Sequence, residues 1–516
     1  MKKTNLLLLA LTILSGTSFA QFSFQKTFGG ASFDSGTDIT ATADGGYALT
    51  GFFGNLSTGY AEVFLIKTNE NGDTSWTRTY GGHAGDDGGR SLAQTRDHGY
   101  VVCGFSASFN DQVYLIKTDS VGDTMWTKTY GDLDTQEGEC VLQTNDDGFL
   151  ISGESFGGTP GILLIKTDSQ GDTLWVRTGL GSGPANRAYS IQQTVDSGFI
   201  ICGYTTGAAT GSSDVYLIRT NAAGDTLWTH TYGGIGNEQG RAVKQTSDGG
   251  FIVAAKSNSF GIGNDDIYLV KTDSSGNVEW SRIYGGPLNE SAYSVEESDD
   301  GNFLVAGQSN SFNAGDNDMY LLQVDSMGIL LWSKRYGGAD EDAVRSMCKS
   351  NGGAYGLCGY SASFNSGNYA AYFVTTNING NSACNENDPA TTTDTAVTII
   401  GSAFNLIPRI INVNSTATIM RRGCADATIC RSDGVSEFAD MNQVNIYPNP
   451  FRNNLMIHGT VDGGTINVYD VSGKIRIRQN STGDKTELQT DNLASGFYLL
   501  NYLDGKKSLN FKVVKF

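Results

Sequence analysis

The sequence predicts an all-β protein: a seven-bladed β-propeller, then a spacer, then a small C-terminal β-sandwich. Composition is the first observation behind this reading. Gly accounts for 67 of 516 residues and Pro for 7, while charged residues make up 17%, against roughly 25% in ordinary soluble domains. Such a chain is rich in turns and poor in the charged faces of long helices, which excludes helical bundles, coiled coils and disorder. Periodicity is the second. Tryptophan occurs at 76, 126, 175, 228, 280 and 332, at intervals of 50, 49, 53, 52 and 52. The third is a change near Asn442 to strict alternation of apolar and polar residues, the signature of half-buried strands.

The first 20 residues read as a signal peptide: Lys2-Lys3, an apolar run from Leu6 to Leu14, and Ser18-Phe19-Ala20 before Gln21. The repeat fills residues 21–384. One copy reads Tyr232-Gly233-Gly234, Ala242 to Thr246, Asp248-Gly249-Gly250-Phe251, Asp266 to Asp273 and Trp280. The aromatic after the Asp-Gly pair recurs as Tyr47, Tyr100, Phe149, Phe199, Phe251, Phe303 and Tyr355, which makes seven units. Each holds four short runs of β-branched and aromatic residues. Turns such as Asp248-Gly249 and Asp168 to Asp172 join them, where Gly and Asp supply the backbone angles that tight hairpins need. Four antiparallel strands at a period near 50 match a propeller blade. The seventh unit lacks its last strand, and the segment Phe24 to Gly30 has that strand's sequence, so the two chain ends are expected to complete one blade. The tryptophans lie inside a strand of every unit and are expected to fill the wedge between blades.

Loops on a rigid scaffold carry recognition, and the variable ones here follow the second strand, with Phe109, Phe260, Phe312 and Phe364. On the same face an acid follows each Gly-Gly pair: Asp34, Asp86, Glu137, Glu238, Glu290 and Asp342, with Asn186 in the fourth unit. These acids either form a ring that focuses negative potential on a cation or basic ligand or accept backbone N–H groups in their own turns. The phenylalanines likewise either meet ligand or wedge their own loops.

The Asp-Ser-x-Gly-Asp turns lack the ligand series of a calcium loop. No helix follows the glycines at 179–183, as a phosphate loop requires. Only His83, His98, His230 and His458 are present, none at metal-ligand spacing. No catalytic residue, metal or cofactor is expected. Cys103, Cys202 and Cys358 occupy equivalent places as core thiols. Cys348 and Cys358 face each other across a hairpin if the register allows, and Cys384, Cys424 and Cys430 are the better disulfide candidates in an exported chain.

Residues 385–440 read as a spacer with short strands. Residues 441–516 carry net +3, which leaves −24 on residues 21–440. The acidic balance disfavours nucleic acid, and no segment after the signal peptide reaches membrane-spanning length.

The C-terminal motifs are Asn445-Ile446-Tyr447-Pro448-Asn449-Pro450-Phe451, Val468 to Lys474, Leu493 to Tyr498 and the basic end Lys512 to Phe516. Together they resemble the type A C-terminal sorting domain of the type IX secretion system of Bacteroidetes-type bacteria. The resemblance implies a β-sandwich read by the secretion machinery at the outer membrane, with Pro448, Asn449, Pro450, Gly473, Lys474, Gly496, Tyr498 and Lys512 as recognition positions. It also implies cleavage near 435–443 and export through the periplasm to the medium or outer cell surface. The repeat itself is similar to secreted bacterial propeller repeats, and its Thr-Asp-Ser-x-Gly-Asp-Thr-Leu-Trp stretch resembles the tryptophan-docking motif of quinoprotein propellers, which generally have eight blades. The sequence reading is therefore a non-catalytic surface binding or adhesion protein with a glycan or surface-protein ligand. The alternatives are a propeller enzyme acting on carbohydrate, as hydrolase or lyase, a quinoprotein-like redox protein, and a purely structural surface component.

Overall fold

The computed structural model describes residues 23–432 and 445–515, less short segments of which 180–185, 207–211 and 448–453 are among the longest. The chain divides into two units, residues 1–432 and 433–516. The signal-peptide residues lie outside the described part.

The first unit is all β. Seven five-stranded antiparallel sheets follow one another and remain separate, without joining into a continuous barrel. Their inner strands are Asp34–Ala41, Asp87–Gln94, Gln136–Gln143, Asn186–Gln193, Glu238–Gln245, Glu290–Glu297 and Asp342–Lys349, here numbered sheets 1 to 7. Three further strands follow in sequence within each of sheets 1 to 6. In sheet 7 the fourth strand is the N-terminal segment Ser23–Gly29, paired to Ala370–Thr376 with Gln25 opposite Val374 and Phe28 opposite Ala371.

The third strand of each repeat reads as a continuous apolar run, as in Ile162 to Ile165 and Ile267 to Val270, because both of its faces are covered. One set of side chains faces the preceding sheet and the other faces the next, producing seven apolar clusters, one at each junction. The cluster of Phe24, Phe28, Leu49, Phe64, Cys358 and Phe373 lies between sheets 7 and 1, so the junctions form a cycle.

Among the described residues a tyrosine latches five of the junctions, among them those after sheets 1, 2, 4 and 5. Tyr80 donates to the carbonyl of Gly122 at 2.7 Å, Tyr130 to Gly171 at 2.7 Å, Tyr232 to Gly276 at 2.8 Å and Tyr284 to Gly328 at 2.6 Å, each time reaching the next sheet's last turn. The tryptophan four residues earlier packs on the same glycine, leaving no room for a Cβ, and Phe24 takes that place against Gly72. Lys26 and Asp73, 2.9 Å apart, close the junction of sheets 7 and 1 as Arg78 and Asp123 close that of sheets 1 and 2.

The fifth strand of every sheet comes from the segment read as a spacer. It runs round the outer edges in reverse order: Glu386–Asn387 on sheet 6, Thr392–Thr395 on sheet 5, Ile399–Gly401 on sheet 4, Leu406–Pro408 on sheet 3, Asn412–Ser415 on sheet 2, Ile419–Arg421 on sheet 1 and Ala425–Ser432 on sheet 7. All pair antiparallel to the fourth strand. This belt covers seven edges that four-stranded sheets would leave open to foreign strands. A disulfide joins Cys384 to Cys430, at the belt's two ends. Cys424 lies outside the described residues. Cys348 and Cys358 are buried free thiols, because the register sets Cys348 opposite Gly356 and Cys358 opposite Ser346.

In the second unit a three-stranded and a four-stranded antiparallel sheet share one core, which includes Leu455, Ile457, Val468, Leu488, Leu500 and Val513. Gly496 opens the strand Gly496–Leu503, Tyr498 donates to the carbonyl of Ala494 at 2.7 Å, and Lys474 is exposed. Lys512 lies opposite Leu499 on the last strand. Pro448, Asn449, Pro450 and Gly473 lie outside the described residues.

Candidate functional site

The seven inner strands share one irregularity. After the third residue the pairing slips by one, so the fourth residue has no partner across the ladder. A β-bulge re-aims the extra side chain. Here the bulged residues are Thr37, Arg90, Glu139, Tyr189, Arg241, Tyr293 and Arg345, and all seven line one cavity of about 720 Å³ enclosed by the inner strands. Close approach of the backbones makes the bulge possible. The residue opposite the third position is glycine in six sheets, and at Gly203 the carbonyl of Arg187 leaves no space for a Cβ.

The fifth residue of the inner strand stitches neighbouring sheets. Asp38 accepts the N–H of Leu92 at 2.8 Å, Ser91 that of Val141 at 3.3 Å and Ser190 that of Val243 at 3.3 Å, and Ser346 donates to Asp38 at 2.6 Å. The last of these joins sheet 7 to sheet 1. Burial pushes the Asp38 carboxyl above the usual carboxylate range against these bonds. Burial likewise raises Cys140, to about 11, which leaves an inert thiol at neutral pH.

The cavity wall is cationic although the chain is acidic overall. It carries Arg90, Arg187, Arg241, Arg345 and Lys244 against Asp38, Glu139 and Glu296. Three of the cations are paired. Lys244 lies 2.8 Å from Glu296; burial would lower the amine, but the charge and hydrogen bond of Glu296, with Cys140 and Asp38, together hold it above its ordinary range. Arg90 lies 3.5 Å from Glu137, and Arg187 pairs with Glu154 and, at 4.0 Å, with Glu139. Burial raises Glu139 although these arginines favour its ionised form. Glu137, Glu139 and Glu154 form the described carboxylate group close enough to share a metal ion, and Arg90 and Arg187 already pair with it.

Arg241 and Arg345 make no ion pair among the described residues; Arg241 donates to Gln239 at 3.1 Å and Arg345 to the Tyr360 hydroxyl at 3.5 Å. Both lie over aromatic rings. Arg241 is 4.0 Å from the Tyr189 centroid and 5.6 Å from that of Tyr293, and Arg345 is 4.8 Å from Tyr293 and 5.2 Å from Tyr360. The aromatic series continues through Tyr369 and Phe33 to Phe52.

The acids singled out in the sequence lie elsewhere. Asp34, Glu238, Glu290 and Asp342 open their inner strands, fully buried, and accept the N–H groups of Gly30, Gly234, Gly286 and Gly338 at 2.7 to 2.8 Å. Burial raises Asp34 and Asp342. In sheets 2 and 3 the equivalent positions are Asp87 and Gln136, one residue beyond Asp86 and before Glu137. Asp86 is exposed and accepts the N–H of Ala61 at 2.7 Å. Phe109, Phe260, Phe312 and Phe364 lie 5.5 to 5.8 Å from Tyr114, Tyr268, Tyr320 and Tyr372 of the third strands. None of these ten residues lines the cavity. The bulge residues escaped the sequence reading because their column changes between Thr, Arg, Glu and Tyr and neighbouring columns of the inner strand vary as well.

The architecture defines an exported all-β repeat protein, and its export rests on the tail. Residues 445–515 match the secretion system C-terminal sorting domain. The chain therefore engages the type IX secretion machinery and is delivered to the medium or the cell surface. No described helix is long and apolar enough to cross a membrane. The chain is 28% identical over 114 residues to the regulatory protein FlaEY of Caulobacter vibrioides, a stretch covering 20% of this chain and 12% of that protein. Among solved structures it is similar to Sqt1 of Chaetomium thermophilum, with 11% identity, TM-score 0.41, and coverage of 68% of this chain and 97% of that one. It is also similar to PorZ, a surface component of the type IX secretion system of Porphyromonas gingivalis, with 9% identity, TM-score 0.26 and coverage of 93% and 81%. None of these proteins lends its activity or ligand to this chain.

Proposed function

We propose that the first unit is a seven-bladed β-propeller serving as the recognition platform of a secreted or surface-attached binding protein, and that the cavity enclosed by its inner strands is a ligand site without catalysis. One observation carries this. In a repeat whose packing residues recur, the bulge position changes between Thr, Arg, Glu and Tyr, and in all seven sheets it lines the cavity. A wall serving packing alone would repeat its residue, as six of the seven units do with tryptophan.

The carboxyls at the cavity are already engaged: Asp38 takes bonds from Ser346, Leu92 N–H and, at 2.9 Å, its neighbour Ile39 N–H, while Glu139 and Glu296 face arginine and lysine. Neither arrangement leaves an acid and a base poised across open space, as glycoside hydrolysis demands. A glycan or surface protein is the ligand class. The test screens the exported protein against glycan and surface-protein libraries, then compares Thr37→Tyr, which places in sheet 1 the residue that sheets 4 and 6 carry at that point. Affinity for any ligand found should fall at least tenfold with the unfolding midpoint kept. Equal affinity in the variant rejects the cavity.

A further inference from the structure

Arg241 and Arg345 stand out within the cavity because nothing described neutralises them. Each guanidinium carries five N–H donors, and the described hydrogen bonds use one from each arginine, to Gln239 and to the Tyr360 hydroxyl. A guanidinium edge matches the two oxygens of a carboxylate or another oxyanion. Tyr189, Tyr293 and Tyr360 flank the two arginines and fix their positions without supplying negative charge. The carboxylates that influence them from a distance have other partners: Glu139 faces Arg187, and Glu341 accepts hydrogen bonds from Tyr360 at 2.9 Å and Tyr369 at 2.8 Å.

We infer that this pair receives the acidic group of an anionic saccharide whose remaining rings extend towards Phe33 and Phe52. The proposal rests on the reading of the cavity as a ligand site and names its ligand class. Size agrees, since about 720 Å³ lies within the range of small-molecule pockets. The wall combines hydrogen-bonding groups with an aromatic patch: Phe33 and Phe52 stack at 5.7 Å, and Phe33 remains 49% exposed. A sugar ring offers polar edges and an apolar C–H face to such a wall.

The test measures binding of the full exported protein to three oligosaccharides of equal length: one bearing uronic acids, one bearing sulfate esters and one neutral. At least one acidic probe should bind, and raising salt should weaken it. Arg241→Gln and Arg345→Gln should each raise its Kd roughly 10- to 100-fold, the range for a lost charge-assisted hydrogen bond. Arg345→Lys should recover part of the loss, since charge returns without the planar fork. Carboxylate and sulfate arms identify the group, and arginine-dependent binding of either supports the inference. Tight binding of the neutral probe, or acidic binding indifferent to both substitutions and to salt, overturns it. If the neutral probe binds and Thr37→Tyr blocks it, the cavity reading survives while the anionic class fails. Salt titration of the unmutated protein gives the result independently of how the variants fold.

Discussion

Cutting the disulfide at the ends of the belt should loosen the whole first unit. Cys384→Ser with Cys430→Ser, or reductant alone, removes a crosslink spanning 46 residues. In the chain-entropy description, a closed loop of that length lowers denatured-state entropy enough to stabilise the fold by about 4 kcal/mol. The first unit has about 410 residues from Ser23 to Ser432, so at about 2.1 cal/mol/K per residue its unfolding entropy is about 0.9 kcal/mol/K and the midpoint should drop by about 5 °C. Locally the effect should be larger. The belt strands are only two to eight residues long, and the fourth-strand edges exchange amide hydrogens once a strand peels away. The assay pairs thermal unfolding with hydrogen exchange on oxidised and reduced protein. Cys103, Cys140, Cys202, Cys348 and Cys358 are already free thiols, so among described residues reductant acts on this bond alone. An unchanged midpoint together with unchanged protection of Thr79 to Gly81 and Thr231 to Gly233 would refute the belt's part in stability.

Gly276→Ala should destabilise by more than about 1 kcal/mol, read as a denaturant midpoint, because its φ of +81° disfavours a side chain and the new Cβ would press on His230 and Trp228. Asp266 sets a pH dependence. Burial, with help from Glu290 and Asp265, raises its carboxyl to about 7, so the fold holds a proton that the unfolded chain releases near pH 4. Its contribution favours folding below about pH 4, falls as pH rises to about 7 and then levels. Asp266→Asn should therefore shrink the loss of thermal midpoint between pH 5 and pH 8; an equal loss in the variant rejects the assignment.

The repeat was legible because its packing residues recur: a tryptophan meets a glycine of the next sheet at each junction, with Phe24 in its place once, so one spacing announces the rest. Asp34, Glu238, Glu290 and Asp342 were visible for the same reason, and the same regularity marks them as parts of the turns. The proposed ligand site includes Thr37, Arg90, Glu139, Tyr189, Arg241, Tyr293 and Arg345, a column at which the units disagree. A bulge gives no local sequence signal beyond small residues at its flanks, so the inward turn of these side chains became visible only through the strand register. The belt was illegible for another reason. Strands such as Glu386–Asn387 and Ile399–Gly401 are too short to show alternation, and they are specified by the edges they meet.

The belt begins a new strand every six or seven residues, once per sheet. At about 3.3 Å per residue that is roughly 20 Å of perimeter per step. The hoop is therefore cut to the number of staves. Duplicating one unit of the repeat would leave the clasp some 20 Å short, and deleting one would leave slack, so neither change is neutral without a matching change of one step in residues 386–432. The clasp ties the belt to its strand count: the Cys384–Cys430 bond brackets strands that pair with all seven described sheets of the first unit.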